Sequence, residues 1–489
     1  MKTILLLFCL FLLSNYSQAQ LLNQQAARED IEEVRDILKR NSSYYTSHSQ
    51  DIDQKLKILE AELPEEIETD LFRFKIQHIL GLIGDRHFWM KTNRKRWKKG
   101  LPFIVAPLNN KIVALKKTPG NSSQYSLYQP HYPYLKAIEN IPLENFIEEI
   151  TYRDHWAPQA ARQHRATKLL TRIEEQFYKT GRSFPEKISF TFTNGKKDRT
   201  ILLKPDTTQI YWQNICSNKQ EIQKTYQEEK YNSFYRLIDN KIGYIRIPRM
   251  VRKEIYPEYF RELTRKMEEF QDTEALIFDL RDNGGGTRDI LMTLAPYLIP
   301  QKSSPWIANI AKIRSSQILN EDINSMEERH LYISHSKHFN PEEQKLIQEF
   351  LRTFTTEWKY PQNEYSGEFV MLLHHNPKLF YGKPVYLLIN EVVFSAASVF
   401  TTAFKGVPGI YIAGVNSDGS SGRSIPFKLK NSGTEFQIST MISFQRNGKT
   451  LDTNGTEPDL PIPMDLQQVL GKRDTQLEIL VKHISDQLK

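Results

Sequence analysis

The stretch ALIFDLRDNGGGTRDILMTLAPYLI, residues 275–299, constrains the fold more than any other part of the chain. An unbroken apolar run of strand length opens into a glycine triplet, and that loop leads straight into a second apolar segment of helical length. A strand apolar along its whole length is buried on both faces, so helices must cover the sheet that contains it. Around it lie KIGYIRIPR, the charged amphipathic segment EIYPEYFRELTRKMEEF, and a second apolar strand PVYLLIN that runs into NEVVFSAASVFTTAFKG. Strands alternating with helices imply a parallel or mixed sheet and an α/β domain over residues 207–489. Residues 302–368 interrupt the alternation with charged, helical-looking sequence and are expected to form a helical cap.

At 489 residues the chain is long for one domain, so two or three are expected. Residues 20–98 carry AREDIEEVRDILKR and ETDLFRFKIQHILGLIG, both with apolar residues at helical spacing, and read as a small helical region. Residues 99–206 turn to short strands broken by Asn-Asn, Pro-Gly and Asn-Gly, with ISFTFTNGKKDRTILL reading as a hairpin. Residues 1–19 combine Lys2, the apolar run Ile4 to Leu13 and small residues at Ser17 and Ala19, as a secretory signal peptide does. Export to the periplasm or the extracellular space is expected. Cleavage removes Cys9 and leaves Cys216 alone, so no internal disulfide forms, which fits a bacterial envelope. The formal charge of +8 is spread along the chain. Its densest cluster, KTNRKRWKKG at residues 91–100, reads as a solvated helix end, and nucleic acid is set aside as a partner.

Two places can carry chemistry. The Gly284, Gly285 and Gly286 triplet leaves backbone N–H groups unobstructed and suits an anion or an oxyanion, although a tight strand-to-helix turn uses the same residues. It lacks the Gly-Lys-Ser/Thr of a phosphate-binding loop. Ser395 falls where a helix would begin. It is either the capping residue or a nucleophile with the helix N-terminus and the Ala396 N–H beside it. Ser398, one turn further on, is the weaker candidate. A serine nucleophile needs a base, and Lys405, Lys428, Lys430 and His87 are the candidates. His330, His335 and His338 are spaced irregularly and read as solvated, so neither a metal nor a cofactor is expected.

Taken together, IGDRH, IGYIRIP, ALIFDLRDNGGG, SAAS and NGTEPDLPI occur in the order in which similar motifs occur in the C-terminal processing (tail-specific) serine peptidases and the tricorn protease core. The sequence resembles that family over residues 83–462. The resemblance implies a crotonase-like or ClpP-like α/β catalytic core with a mixed sheet, and a PDZ-like domain over residues 99–206, where YLKAIENIPLENFIEEI is similar to a PDZ segment. It also implies a polypeptide substrate, Ser395 as nucleophile, and Ala396 with Gly284 or Gly285 as oxyanion donors. The tail-specific branch places a lysine about where this chain has Ser420, in DGSSGRS. The tricorn-like branch instead implies His87 as base and Asp452 as its acid. Arg86 stands where that branch has serine, and Ser398 where the family motif has glutamate. The alternative is a non-catalytic binding protein that keeps the fold.

Overall fold

The computed structural model describes residues 21–91, 97–314, 325–361 and 363–489. The signal peptide read at residues 1–19 and the middle of the basic run at 91–100 lie outside the described residues. Among the described residues no helix is long and apolar enough to cross a membrane.

The architecture is mixed α/β, as the strand and helix alternation implies. The central sheet has six strands in the order Tyr235–Ile238, Ile242–Arg246, Ala275–Asp279, Val385–Ile389, Ile410–Gly414 and Leu460–Pro461. The first pair is antiparallel and every later pair parallel. Ile242–Arg246, Ala275–Asp279 and Val385–Ile389 are buried at every position, which is why their sequences do not alternate. Helix Pro257–Glu269 covers the sheet through Tyr259, Phe260, Leu263 and Met267, and helix Asp289–Leu298 joins the same core.

A second, antiparallel sheet runs Ser325–Met326, Leu331–Ile333, Phe369–Leu373, Trp306–Ile313 and Met441–Phe444. This corrects the helical cap expected at 302–368. Among the described residues of that stretch the only α-helix is Pro341–Thr353, and WIANIAKI is an interior strand. One face of the strand, with Ala308, Ala311 and Ile313, joins the core around helix Ala396–Phe404. The other, with Ile307 and Ile310, packs on the N-terminal helices. A register shift against Phe369–Leu373 lies between Ile307 and Asn309.

Helices Gln24–Asn41, Tyr45–Ala61 and Thr69–Gly81 make up the N-terminal region. They are tied to the α/β part by a small sheet in which Trp89–Met90 pairs with Glu435–Ser439, itself paired with Ser424–Lys428. Buried Asp30 adds a second tie by accepting from the Asn431 and Ser432 N–H groups at 3.0 and 2.8 Å. Between these parts in sequence lies a seven-stranded sheet with helices Leu143–Ile150, Gln159–Leu170 and Ile173–Lys179. The expected hairpin is there, Ile188–Thr193 against Asp198–Leu203.

Candidate active site

The strand Ala275–Asp279 ends in Asp279, which sits among arginines. Burial alone would raise its pKa, but Arg246 and Arg281 outweigh burial and hold it well below the carboxylate range. Arg281 also reaches Asp474 at 2.6 and 2.7 Å. The Asp-Leu-Arg of the motif is therefore an anchor for the loop rather than part of the chemistry. Asn283 braces the loop on three sides. Its Nδ2 donates to Ile247 O at 2.8 Å, its Oδ1 accepts from Gly285 N at 2.9 Å, and its carbonyl accepts from Phe394 N at 3.1 Å.

That bracing separates the two glycines expected as oxyanion donors. The Gly285 N–H is spent on Asn283, so Gly285 is not available as a donor. Its part is close packing: a Cβ there would lie 2.7 Å from the Ser395 Cβ and 2.7 Å from Phe394 O. The Gly284 N–H and the Ala396 N–H have no partner among the described residues.

Ser395 follows strand Val385–Ile389 at the sharp entry to helix Ala396–Phe404 and has φ 56° and ψ −126°. Positive φ at a side-chain-bearing residue costs on the order of 1–3 kcal/mol, and such strain gathers at functional turns. The strained turn is that of a nucleophile elbow, which lifts the hydroxyl clear of its own helix. The capping alternative is excluded by geometry, since the Ser395 side chain makes no cap bond. Its Oγ instead lies 3.2 Å from His87 Nε2. Ser398 is turned inward, with its hydroxyl 2.9 Å from Val393 O and 2.8 Å from Gly419 O, and braces the elbow.

His87 reaches Ser395 because the small sheet holds Trp89–Met90 and because Asp85 fixes the turn before it. Asp85 accepts from His87 N at 2.9 Å and from Ser439 N and Oγ at 2.5 and 2.8 Å. The imidazole stacks on Phe394 with centroids 4.8 Å apart. Burial pushes it down to about 4, and Arg329, Arg86 and Arg165 add to that against the pull of Asp452. It is neutral near neutral pH.

Asp452 and His87 are not in direct contact. Asp452 was expected beside His87, but Ser420 stands between them, with its Oγ 2.6 Å from His87 Nδ1 and 2.5 Å from Asp452 Oδ1. Tyr44 O–H donates to the other oxygen, Asp452 Oδ2, at 2.5 Å. Ser420 occupies the position about which the tail-specific branch has lysine, so the sequence marked the place without indicating the role. Tyr44 carries no sequence signal at all. Arg86, buried to 2% exposure, turns away from Ser395. It binds Asp154 at 3.0 Å and also Asp418, and Arg165 binds both of these acids as well. The lysine candidates stand elsewhere: Lys405 Nζ is held by Asp459 at 2.5 Å, and Lys428 lies 4.0 Å from Glu435. Among the described residues no group of three or more His, Cys, Asp or Glu could hold a metal ion, and His338 stacks on Tyr332.

A buried mixed sheet, a glycine-triplet loop and a strained serine facing a histidine define a peptidase-type α/β domain. Residues 241–462 match the model of Peptidase family S41, so the chain carries a domain of that family, as its motifs suggested. The fold is similar to the crystal structure of mature CPAF, with a TM-score of 0.63 at 15% identity over 95% of this chain and 98% of that one. It is also similar to mature CPAF complexed with lactacystin, with a TM-score of 0.62 at 15% identity over 95% and 99%. A Chlamydia trachomatis serovar D protein is 22% identical over 273 residues, 51% of this chain and 45% of the relative. An uncharacterized Chlamydia muridarum protein is 23% identical over 257 residues, 47% and 42%. The match thus spans a little under half the length of these curated relatives.

Proposed function

We propose that this chain is an exported serine endopeptidase that cleaves envelope or extracellular polypeptides through an acyl-enzyme on Ser395, with His87 as general base. The observation that carries the reading is the unbroken hydrogen-bond series Ser395, His87, Ser420, Asp452, Tyr44. Ser420 has one hydroxyl hydrogen, and the Asp452 carboxylate takes it. Ser420 therefore accepts from His87 Nδ1–H, which leaves the Nε2 lone pair facing the Ser395 hydroxyl.

As Oγ attacks the scissile carbonyl, its proton passes to Nε2, a step worth typically about 10² to 10⁴ in rate. The imidazolium charge is met by the Ser420 dipole and, behind it, by Asp452. The oxyanion forms between the Gly284 and Ala396 N–H groups at the start of a helix, where one donor is worth about 10² to 10³. Nε2–H then protonates the leaving amine, and water attacks the ester with His87 again as base. The β-rich region 99–206 serves in this reading as a PDZ-like module beside the cleft.

The test is fluorophosphonate labelling of the mature protein. Label is expected on the native chain and on Ser398→Ala, and lost in Ser395→Ala and His87→Ala. No label on the folded native protein overturns the reading and leaves a binding protein. Internal cuts in an unfolded protein substrate, seen by mass spectrometry, test the endopeptidase assignment. The N-terminal sequence of the secreted chain tests export, with Gln20 expected first.

A further inference from the structure

Two clefts meet beside the nucleophile. One, of about 370 Å³, reaches Phe394 and Glu391, and the other, of about 760 Å³, runs past Asp282 and Gly285. Both are within the size range of ligand sites. Four residues line both clefts: His164, Lys168, Gly284 and Val392. Since Gly284 is one of the two free oxyanion donors, a polypeptide with its scissile carbonyl there extends into both.

The two clefts differ in electrostatics. In the smaller, Arg165 is closed by Asp154 and Asp418. Buried Glu391 stands there with Oε1 lacking a hydrogen-bond partner, 3.2 Å from His164 Nδ1. Arg172 and Lys179 of that cleft are paired with Glu175, so apart from the shared Lys168 its cations are matched by acids. The larger cleft is lined by Lys168, Lys219 and Arg249. Lys168, on helix Gln159–Leu170, is exposed and lines the cleft, and its ammonium has no hydrogen-bond or ion-pair partner among the described residues. Arg249 lies over the Tyr226 ring at 5.8 Å. The acid nearby, Asp282, has its oxygens engaged by Asn390 Nδ2 at 3.2 Å and by the Cys216 thiol at 3.2 Å. The fourth cation of that cleft, Arg246, is bound to Asp279. The Lys168 pKa is lowered chiefly by desolvation and next by Lys219, against the pull of Asp282.

The geometry points to Lys168, backed by Lys219 and Arg249, as a specificity-determining residue: the larger cleft takes Asp or Glu side chains of the substrate polypeptide, on one side of the scissile bond. This rests on the peptidase reading above. The test is cleavage-site profiling on proteome-derived peptides, followed by a fluorogenic pair built on the best site with Glu or Gln at the selected position. The native protein is expected to favour the Glu peptide about tenfold in kcat/KM, the scale of one well-placed charge pair. Lys168→Gln is expected to remove the preference and Lys168→Glu to reverse it, with melting curves reporting that each variant folds. In the native protein alone, the preference is expected to shrink as NaCl rises from about 0.05 to about 0.5 M. Equal rates for Glu and Gln peptides in a native protein that takes the fluorophosphonate label overturn this inference alone. So does a Lys168→Gln loss that falls equally on both peptides. A native protein that takes no label overturns both readings.

Discussion

Ser420 donates to Asp452 and accepts from His87, so a single hydroxyl fixes the histidine tautomer and passes on the influence of a carboxylate that never touches the ring. Ser420→Ala is expected to lower kcat by on the order of 10² with KM nearly unchanged, because the ring loses its orienting acceptor but keeps its place against Phe394. Steady-state kinetics on one peptide check this. The acid limb follows from the same ring. His87 is held at about 4, and only its neutral form accepts the serine proton, so kcat/KM is expected to stay level from pH 7 down to about 5 and to fall through about pH 4. A limb near pH 6.5 would contradict the burial of the base. How much of this was legible in the sequence depends on how local each signal was. Ser395 was visible as an alternative because strand, turn and helix are adjacent in sequence. His87 was visible only through a motif. Tyr44 was not legible, since nothing near it in the chain distinguishes a tyrosine that meets Asp452 from one that packs.

Among the elements, the glycine loop and the elbow are the tightest fit. Gly285 has φ 97°, and its Cα faces Ser395 with no room for a methyl group. Gly285→Ala is expected to destabilise the fold by about 1–3 kcal/mol through backbone strain and displacement of the elbow. It is also expected to abolish fluorophosphonate labelling while leaving the chain folded at low temperature. Urea unfolding and labelling of the same preparation measure both. The central strands were legible because burial on both faces leaves an unmistakable apolar run. WIANIAKI was misread for a physical reason. It is buried on both faces, but Asn309 and Lys312 interrupt the apolar run that marks such a strand.

At the scale of the whole molecule, Asp85 and His87 oppose each other in acid. Burial raises Asp85 to about 6 from 3.8. The folded state therefore holds that proton more tightly, and the stability it contributes is lost as pH rises from about 4 to about 6. His87 is lowered from 6.5 to about 4, so its contribution is lost as pH falls through the same window. The two slopes cancel, and the unfolding midpoint of the native protein is expected to vary little there on their account. His87→Gln is expected to make stability fall as pH rises from about 4 to 6, and Asp85→Asn to make it fall as pH drops. Urea midpoints at pH 4, 5, 6 and 7 for the three proteins decide it.

The relay joins Tyr44 and His87 of the N-terminal region to Ser420 and Asp452, which lie hundreds of residues later in the chain. During synthesis Ser395, Ser420 and Asp452 emerge long after His87, which lies in the first fifth of the chain. On the proposed mechanism, reactivity begins only when these distant segments have met. A half-folded copy then carries a serine with no base beside it, and the proposed chemistry waits until His87 has docked.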